Sequence, residues 1–288
     1  VATGESSYNR GGGMAIYFSD PILRNMTIID NNAYHGGGVA LYFSNPILSN
    51  IIISNNTATS SGGMLLYNSN PILNNVLVSG NLVTDENAQG NFWEGAGGGL
   101  GLVNSKPILN HVTITGNTAD RGGGIDLTDY NWFVEPSEPV IKNSIIWGNT
   151  PESIYIYNAT GGDEGNVLVT YSNLEGNWEG EGNIDSDPLF IDLENNNYSL
   201  QDNSPCNDTG NPNLWYNDLD GTRSNMGGAG GLFVLPNFTH YDFGEVGDLG
   251  SSIQFTLFNY RQTHINITDI QFSNPSFSTN IVIFFSSV

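Results

Sequence analysis

The chain has 288 residues, enough for one large all-β domain or two ordinary ones, and 38% of them are hydrophobic, enough to build a core. Only 12% are charged, and the 7 Lys plus Arg against 29 Asp plus Glu leave a formal charge of -22, which repels a phosphate backbone and sets nucleic acid aside as a partner. A single cysteine, Cys206, excludes an internal disulfide framework and is expected as a buried thiol, and the absence of a long apolar run excludes a membrane-spanning helix from the residues shown.

From the N-terminus onward the chain repeats itself. The last glycine of each glycine run falls at Gly13, Gly38, Gly63, Gly99 and Gly124, and a proline follows at Pro21, Pro46, Pro71, Pro107 and Pro139. The period is 25 residues, interrupted by insertions of 11 and 7. Between glycine and proline runs an alternating strand, with Met14, Ile16, Val39, Leu41, Met64, Leu66, Leu100, Leu102, Ile125 and Leu127 on its inward side. Its outward side reads Ala15 and Tyr17, Ala40 and Tyr42, Leu65 and Tyr67, Gly101 and Val103, Asp126 and Thr128.

After the proline, four columns are predicted to face inward: Ile22, Ile47, Ile72, Ile108 and Val140; the adjoining Leu23 to Ile141 column; Met26, Ile51, Val76, Val112 and Ser144; and Ile28, Ile53, Val78, Ile114 and Ile146. Two polar columns accompany them. One is Asn25, Asn50, Asn75, His111 and Asn143; the other is Asn31, Asn56, Asn81, Asn117 and Asn149. Consecutive hairpins do not produce columns that keep one phase, but a solenoid does: each unit winds once, its strands lie ~4.8 Å from those of the next coil, and like stacks on like. Helical repeats are excluded by the abundance of Gly, Asn and β-branched residues, and a calcium-binding nonapeptide roll by the lack of its GGxGxD signature.

The repeated GGG-apolar-x-PIL-x-N-apolar-x-apolar-x-x-N pattern resembles the right-handed parallel β-helix of secreted bacterial proteins. The resemblance implies an all-β solenoid of about 25-residue coils over residues 1–235, in a secreted or cell-surface protein. Strands in SIYIYN and NVLVTYSNLEGN, within residues 154–175, continue the coils. Residues 183–235 are similar to the closing segment of such proteins, through Asp187-Pro188-Leu189-Phe190, Ser204-Pro205, Asp208, Gly210, Asp218, Asp220, Gly221 and Arg223. Residues 236–288 resemble the start of an immunoglobulin-like β-sandwich of the choice-of-anchor type, marked by FGEVG and the strands FTLFN and ITDI. These 53 residues are about half of the ~100 such a sandwich takes. The segment before Gly11 ends like the one before Gly122, so the chain is expected to begin inside a coil with an open edge.

Three sets of residues can carry function. Tyr17, Tyr42 and Tyr67 are expected in one file on an uncharged sheet, suited to sugar rings or another protein; the insertions at 82–96 and 129–138 add Trp93, Trp132 and Phe133 beside the same strand. For catalysis, Asp126 with Asp129, or either with Glu94 or Glu135, can supply the two carboxyls of an inverting glycoside hydrolase. A polysaccharide lyase is the other enzyme that the resemblance allows, although no two basic residues of the repeats sit at motif spacing. Asp218 and Asp220 offer hard oxygens for calcium, against a simpler reading as a turn stapled by Arg223. The four histidines have no metal-ligand spacing, and the column Thr27, Ile52, Leu77, Thr113, Ile145 lacks the regular threonines that ice binding requires. The expectation is a structural or adhesive extracellular protein, without a cofactor, whose partners are other copies of itself, surface proteins or glycans; polysaccharide binding or cleavage is the alternative.

Overall fold

The computed structural model describes residues 9–84, 96–129, 136–158, 166–228, 234–236 and 257–259. Six short strands, Met14–Tyr17, Val39–Tyr42, Met64–Tyr67, Leu100–Val103, Ile125–Asp129 and Ile154–Asn158, pair in sequence order to make one sheet. Four long strands, Ile22–Ile29, Ile47–Ser54, Ile72–Ser79 and Ile108–Thr115, make a second, continued by shorter pieces at 140–147 and 168–174. Asn32–His35, Thr57–Ser60 and Leu82–Val83 make a third, whose NAYH and TATS segments show no alternation that would announce a strand. Every pairing within these sheets is parallel, and the register joins Met14 to Val39 and Leu23 to Leu48, each 25 residues on. Each 25-residue unit is therefore one coil of a parallel β-solenoid.

The core is the stack of inward columns. Val39, Leu41, Met64, Leu66, Leu100, Ile125 and Leu127 from the short strands meet Leu48, Leu73, Leu109, Ile51, Val76, Ile53 and Ile114 from the long ones, all almost wholly buried. Each side chain so buried contributes about 1.5–3 kcal/mol over leaving it exposed. One predicted column is corrected. Ile22 and Ile108 are 47% and 39% exposed, and Ile47, Ile72 and Val140 are only partly buried, so the residue directly after the proline faces outward and its neighbour faces in. The cause is a break in alternation at Asn25, Asn50, Asn75, His111 and Asn143, where φ is between 51° and 55°. A left-handed residue resets which side faces the core, and Asn tolerates that conformation better than most residues with a Cβ.

The second polar column lines a corner inside the solenoid. The Nδ2 of Asn56 donates to Asn81 Oδ1 at 2.9 Å and to Ile28 O at 3.0 Å, while its backbone N donates to the same Oδ1. Asn81 repeats the pattern onto Asn117, and Asn117 onto Asn149. A buried serine file that the sequence reading passed over does the same two residues before each proline: the backbone N of Ser44 donates to Ser69 Oγ, Ser69 N to Ser105 Oγ, and Ser105 N to Ser137 Oγ. At the glycine corner, a Cβ on Gly37 would sit 2.4 Å from Gly62 O and 2.5 Å from Thr57 O, which leaves no room for any side chain.

After Leu174, residues 181–184 make a last partial pairing, with Ile184 N donating to Ser172 O and Leu174 N to Ile184 O. The closing segment then turns back along the outside of the long sheet. Phe190, Cys206 and Met226 bury Ile145 in a second small core with Trp147, Tyr198 and Leu200 around it. Gly227 N donates to Asn143 O, and Gly228 N to Thr113 Oγ1. Cys206 is buried and unbridged, as expected, and burial pushes its thiol up to about 11. Of the predicted sandwich, the described residues are Pro236 and Leu257–Asn259, in an antiparallel pair that joins Val234–Pro236 to Leu257–Asn259 across the expected boundary. Among the described residues no helix is long and apolar enough to cross a membrane.

Asn81→Ala would strand the Asn56 backbone and amide donors and the Ile53 carbonyl in the interior, so a loss of about 3 kcal/mol is expected from the cost of buried unmade hydrogen bonds. The exposed-end substitution Asn31→Ala should cost less. Urea denaturation of both variants measures the difference.

Candidate functional site

The short sheet's outward face holds four of the predicted site residues, Tyr17, Tyr42, Tyr67 and Asp126. Parallel register brings Tyr17, Tyr42 and Tyr67 into one file, because each is the last residue of its strand and the strands are in step. The Tyr17 and Tyr42 rings stack at 5.1 Å and 7°, and Tyr42 and Tyr67 lie 5.5 Å apart at 36°. Arg10 sets its guanidinium carbon 4.6 Å from the centre of the Tyr42 ring. Burial, opposed by that guanidinium, pushes the Tyr42 phenol up to about 12. Phe18 and Phe43, one residue on, stack at 5.2 Å in the left-handed region and are 77% and 48% exposed.

This face is less open than an uncharged flat sheet was expected to be. Tyr17 is 45% exposed but Tyr42 only 7%, and Ala40, Leu65 and Val103 are buried with it in a separate apolar cluster. The tyrosine rings spend their faces on one another. A pyranose stacks on a ring face, so Tyr42, flanked on both sides, has little to offer it.

Further along the same face lies Asp126, 2% exposed. Arg121 Nε donates to its Oδ2 at 2.9 Å, Thr128 Oγ1 hydrogen-bonds its Oδ1, and Arg121 Nη2 donates to Thr128 Oγ1 at 3.3 Å. The guanidinium carbon of Arg121 is 5.7 Å from the centre of the Tyr155 ring and 5.1 Å from that of Tyr157. Burial holds the Asp126 carboxyl above the usual range, with the Arg121 charge pulling against it. Sequence reasoning missed Arg121 as the partner of Asp126. The signal was there: Arg121 ends the segment before a glycine run, as Arg10 does, and Arg10 reaches the outward face in the same way.

Glu94, Glu135, Trp93, Trp132 and Phe133 lie outside the described residues, as does the side chain of Asp129, so no carboxyl pair is placed. Asp218 and Asp220 belong to a compact turn. Asp218 Oδ2 accepts from Asn225 N, and Asp220 Oδ1 accepts from both the backbone N and Oγ1 of Thr222. Arg223 staples this turn, its Nε donating to Gly210 O at 2.6 Å and its Nη2 to Thr209 O at 3.0 Å. These carboxylates are engaged with the turn itself, and among the described residues no three His, Cys, Asp or Glu side chains gather as metal ligands.

His111 occupies the asparagine column under the closing segment, fully buried, 6.0 Å from the Tyr216 ring. Among the described residues neither of its ring nitrogens has a hydrogen-bond partner, and Lys142 Nζ lies 5.5 Å from the same Tyr216 ring. Burial drives the imidazole down to about 3, so it is held neutral.

The family model described as right handed beta helix region matches residues 5–204. The chain belongs to the right-handed β-helix family. The parallel coils and in-step columns of this β-helix are those its repeat predicts. No curated protein matches the chain. Among solved structures, the crystal structure of pectate lyase Pel9A is similar, at 12% identity and a TM-score of 0.38, over 76% of this chain and 68% of that one.

His111 protonates near 6.5 in an unfolded chain but only near 3 in the β-helix, so its contribution is full above pH 6.5 and is lost at about 1.4 kcal/mol per pH unit as the pH falls toward 3. His111→Asn restores the column residue and should flatten that part of the stability profile. Chemical denaturation of both proteins at pH 7 and pH 4.5 measures it; equal pH slopes would contradict the buried neutral imidazole.

Proposed function

We propose that the chain is a structural and adhesive element of an extracellular surface, built to present a rigid β-helix. The observation that carries this reading is the state of the outward face: the tyrosine file is occupied by its own stacking, and Asp126 is tied to Arg121 and Thr128. Groups held this way favour rigidity over turnover. The low charge content and a composition rich in Asn, Ser and Gly suit an exported scaffold. The module that begins near residue 236 would join the β-helix to its setting.

The reading extends to assembly. Among the described residues Met14–Tyr17 and Ile22–Ile29 end their sheets, and a strand from a neighbouring copy that paired there would lie beside Tyr17, Ile22 and Ile29, which are 45–47% exposed. Strand addition supplies main-chain hydrogen bonds as well as apolar contact.

Polysaccharide cleavage is the second reading, favoured by one feature: burial raises the Asp126 carboxyl, as a general acid requires. It needs a second carboxyl near Asp126, for which Glu94, Glu135 and Asp129 are the candidates. Release of reducing ends or unsaturated uronate from a polysaccharide panel, abolished by Asp126→Asn, would replace the scaffold reading.

Size-exclusion chromatography and electron microscopy of the purified polypeptide should show concentration-dependent, end-to-end assemblies. A monodisperse monomer at high concentration ends the assembly proposal. Protease treatment of intact producing cells should remove the protein from their surface; protection until lysis would end the extracellular one.

A further inference from the structure

A groove of about 410 Å³ runs where the closing segment leaves part of the long sheet uncovered. Its floor is the outward pair Ile52 and Leu77, from successive coils in register, and its opposite wall is Asn197 and Tyr198 of the hairpin Phe190–Asp192 with Asn197–Leu200. Asn50 and Asn75 form one side, again one coil apart. The size lies within the ~300–1,000 Å³ of small-molecule sites. We propose that this groove binds a neutral oligosaccharide lying along the solenoid axis.

The chemistry of the lining selects that class. Ile52, 41% exposed, and Leu77 present an aliphatic strip suited to the C–H face of a pyranose. Tyr198 is held by an edge-to-face contact with Phe190 at 5.7 Å and by its hydroxyl donating to Asn196 Oδ1 at 3.2 Å, which fixes the ring as a wall. The amides have spare capacity. Asn75 Nδ2 donates to Asn50 Oδ1 at 3.3 Å and Asn50 Nδ2 to Asn25 Oδ1 at 3.2 Å, each using one of two N–H groups. A side-chain amide offers a donor and an acceptor together, as a pair of vicinal hydroxyls does.

Two further points orient the ligand and exclude its acidic relatives. The amide relay runs one way and stops at Asn75, because the next column residue is His111. A ligand hydroxyl would meet this relay at the second N–H of Asn50 or Asn75. Asn50 and Asn75 repeat at the coil spacing of ~4.8 Å, close to the length of one sugar in an extended chain, so successive sugars would meet successive coils. Among the described residues no charged side chain lines the groove, and a chain of net charge -22 repels a polyuronate. The proposal stands apart from self-assembly, and from the tyrosine face on the other sheet.

Isothermal titration with cellohexaose, xylohexaose and mannohexaose, and with hexagalacturonate as the acidic comparison, tests it on the full chain. At least one neutral hexaose should bind. Ile52→Arg fills the groove from an exposed position, so the melting temperature should hold while affinity falls tenfold or more; Asn50→Ala should weaken binding several-fold. Tyr198→Ala should also weaken it, but Tyr198 packs against the closing core, so Ile52→Arg decides. Binding by no neutral hexaose, tighter binding of hexagalacturonate, or neutral binding unchanged in Ile52→Arg would overturn the proposal. So would binding lost in Trp93→Ala and kept in Ile52→Arg, which would move the site to the insertion at 82–96.

Discussion

The amide of the corner asparagine is the interaction on which the rest of the solenoid rests. A parallel sheet satisfies its backbone through the coil above and the coil below, but a corner breaks that ladder and leaves polar groups facing an apolar interior. Asn56, Asn81 and Asn117 solve this in one way: the carbonyl oxygen accepts from the preceding asparagine's backbone and side chain, and the amide reaches a main-chain carbonyl of the preceding coil as well as the next asparagine. Each residue is both donor and acceptor in a buried chain, and no charge is needed. The serine file does the same with fewer atoms at the opposite end of the long strands. A core this narrow cannot place water at every corner, so the polar files are as much a condition of the fold as the leucines.

That arrangement explains how coils of different length share one axis. The corner ladder depends on the rise from one coil to the next, and the number of residues between corners does not enter it. Partners in the asparagine file are separated by 25, then 36, then 32 residues, with a constant hydrogen-bond length of 2.9 Å between the amides. Insertions outside the files therefore cost little in register and are free to carry other work. The left-handed column behaves differently. Its side chains point outward, so it can accept His111 in place of asparagine, but only because the closing segment lies over that coil and places Tyr216 against the ring. The substitution costs a hydrogen-bonding relay and gains an aromatic contact.

Periodicity made most of this legible. The coil, the inward columns of the short strands and the asparagine file follow from counting, because like stacks on like only if each unit winds once. The errors have local causes. Both the Ile22 and the Leu23 columns were placed inward because both are apolar in every coil, yet neighbours on a strand face opposite sides, and the left-handed residue at Asn25 decides which of the two meets the core. The third sheet escaped notice because NAYH and TATS carry small and polar residues whose pairing is decided by their neighbours in the next coil. The serine file is visible once sought, two residues before every proline. The burial of Ala40, Leu65 and Asp126 was not legible at all, since what covers an outward face depends on segments remote in sequence.

The same distinction separates sites from supports. A side chain available for a ligand must keep donors, acceptors or ring faces that the fold has not already taken. By that measure Tyr42 and Asp126, the residues that chemical type alone singles out, are largely committed: one is flanked by two rings and a guanidinium, the other is ion-paired and buried. Asn50 and Asn75 are ordinary members of a structural column, yet each retains a free N–H and stands at the margin where the closing segment stops. In a repeat protein the files build the fold, and recognition is left to the places where a file is interrupted or only half covered. His111 marks the first of these, and the groove beside Ile52 and Leu77 is the second.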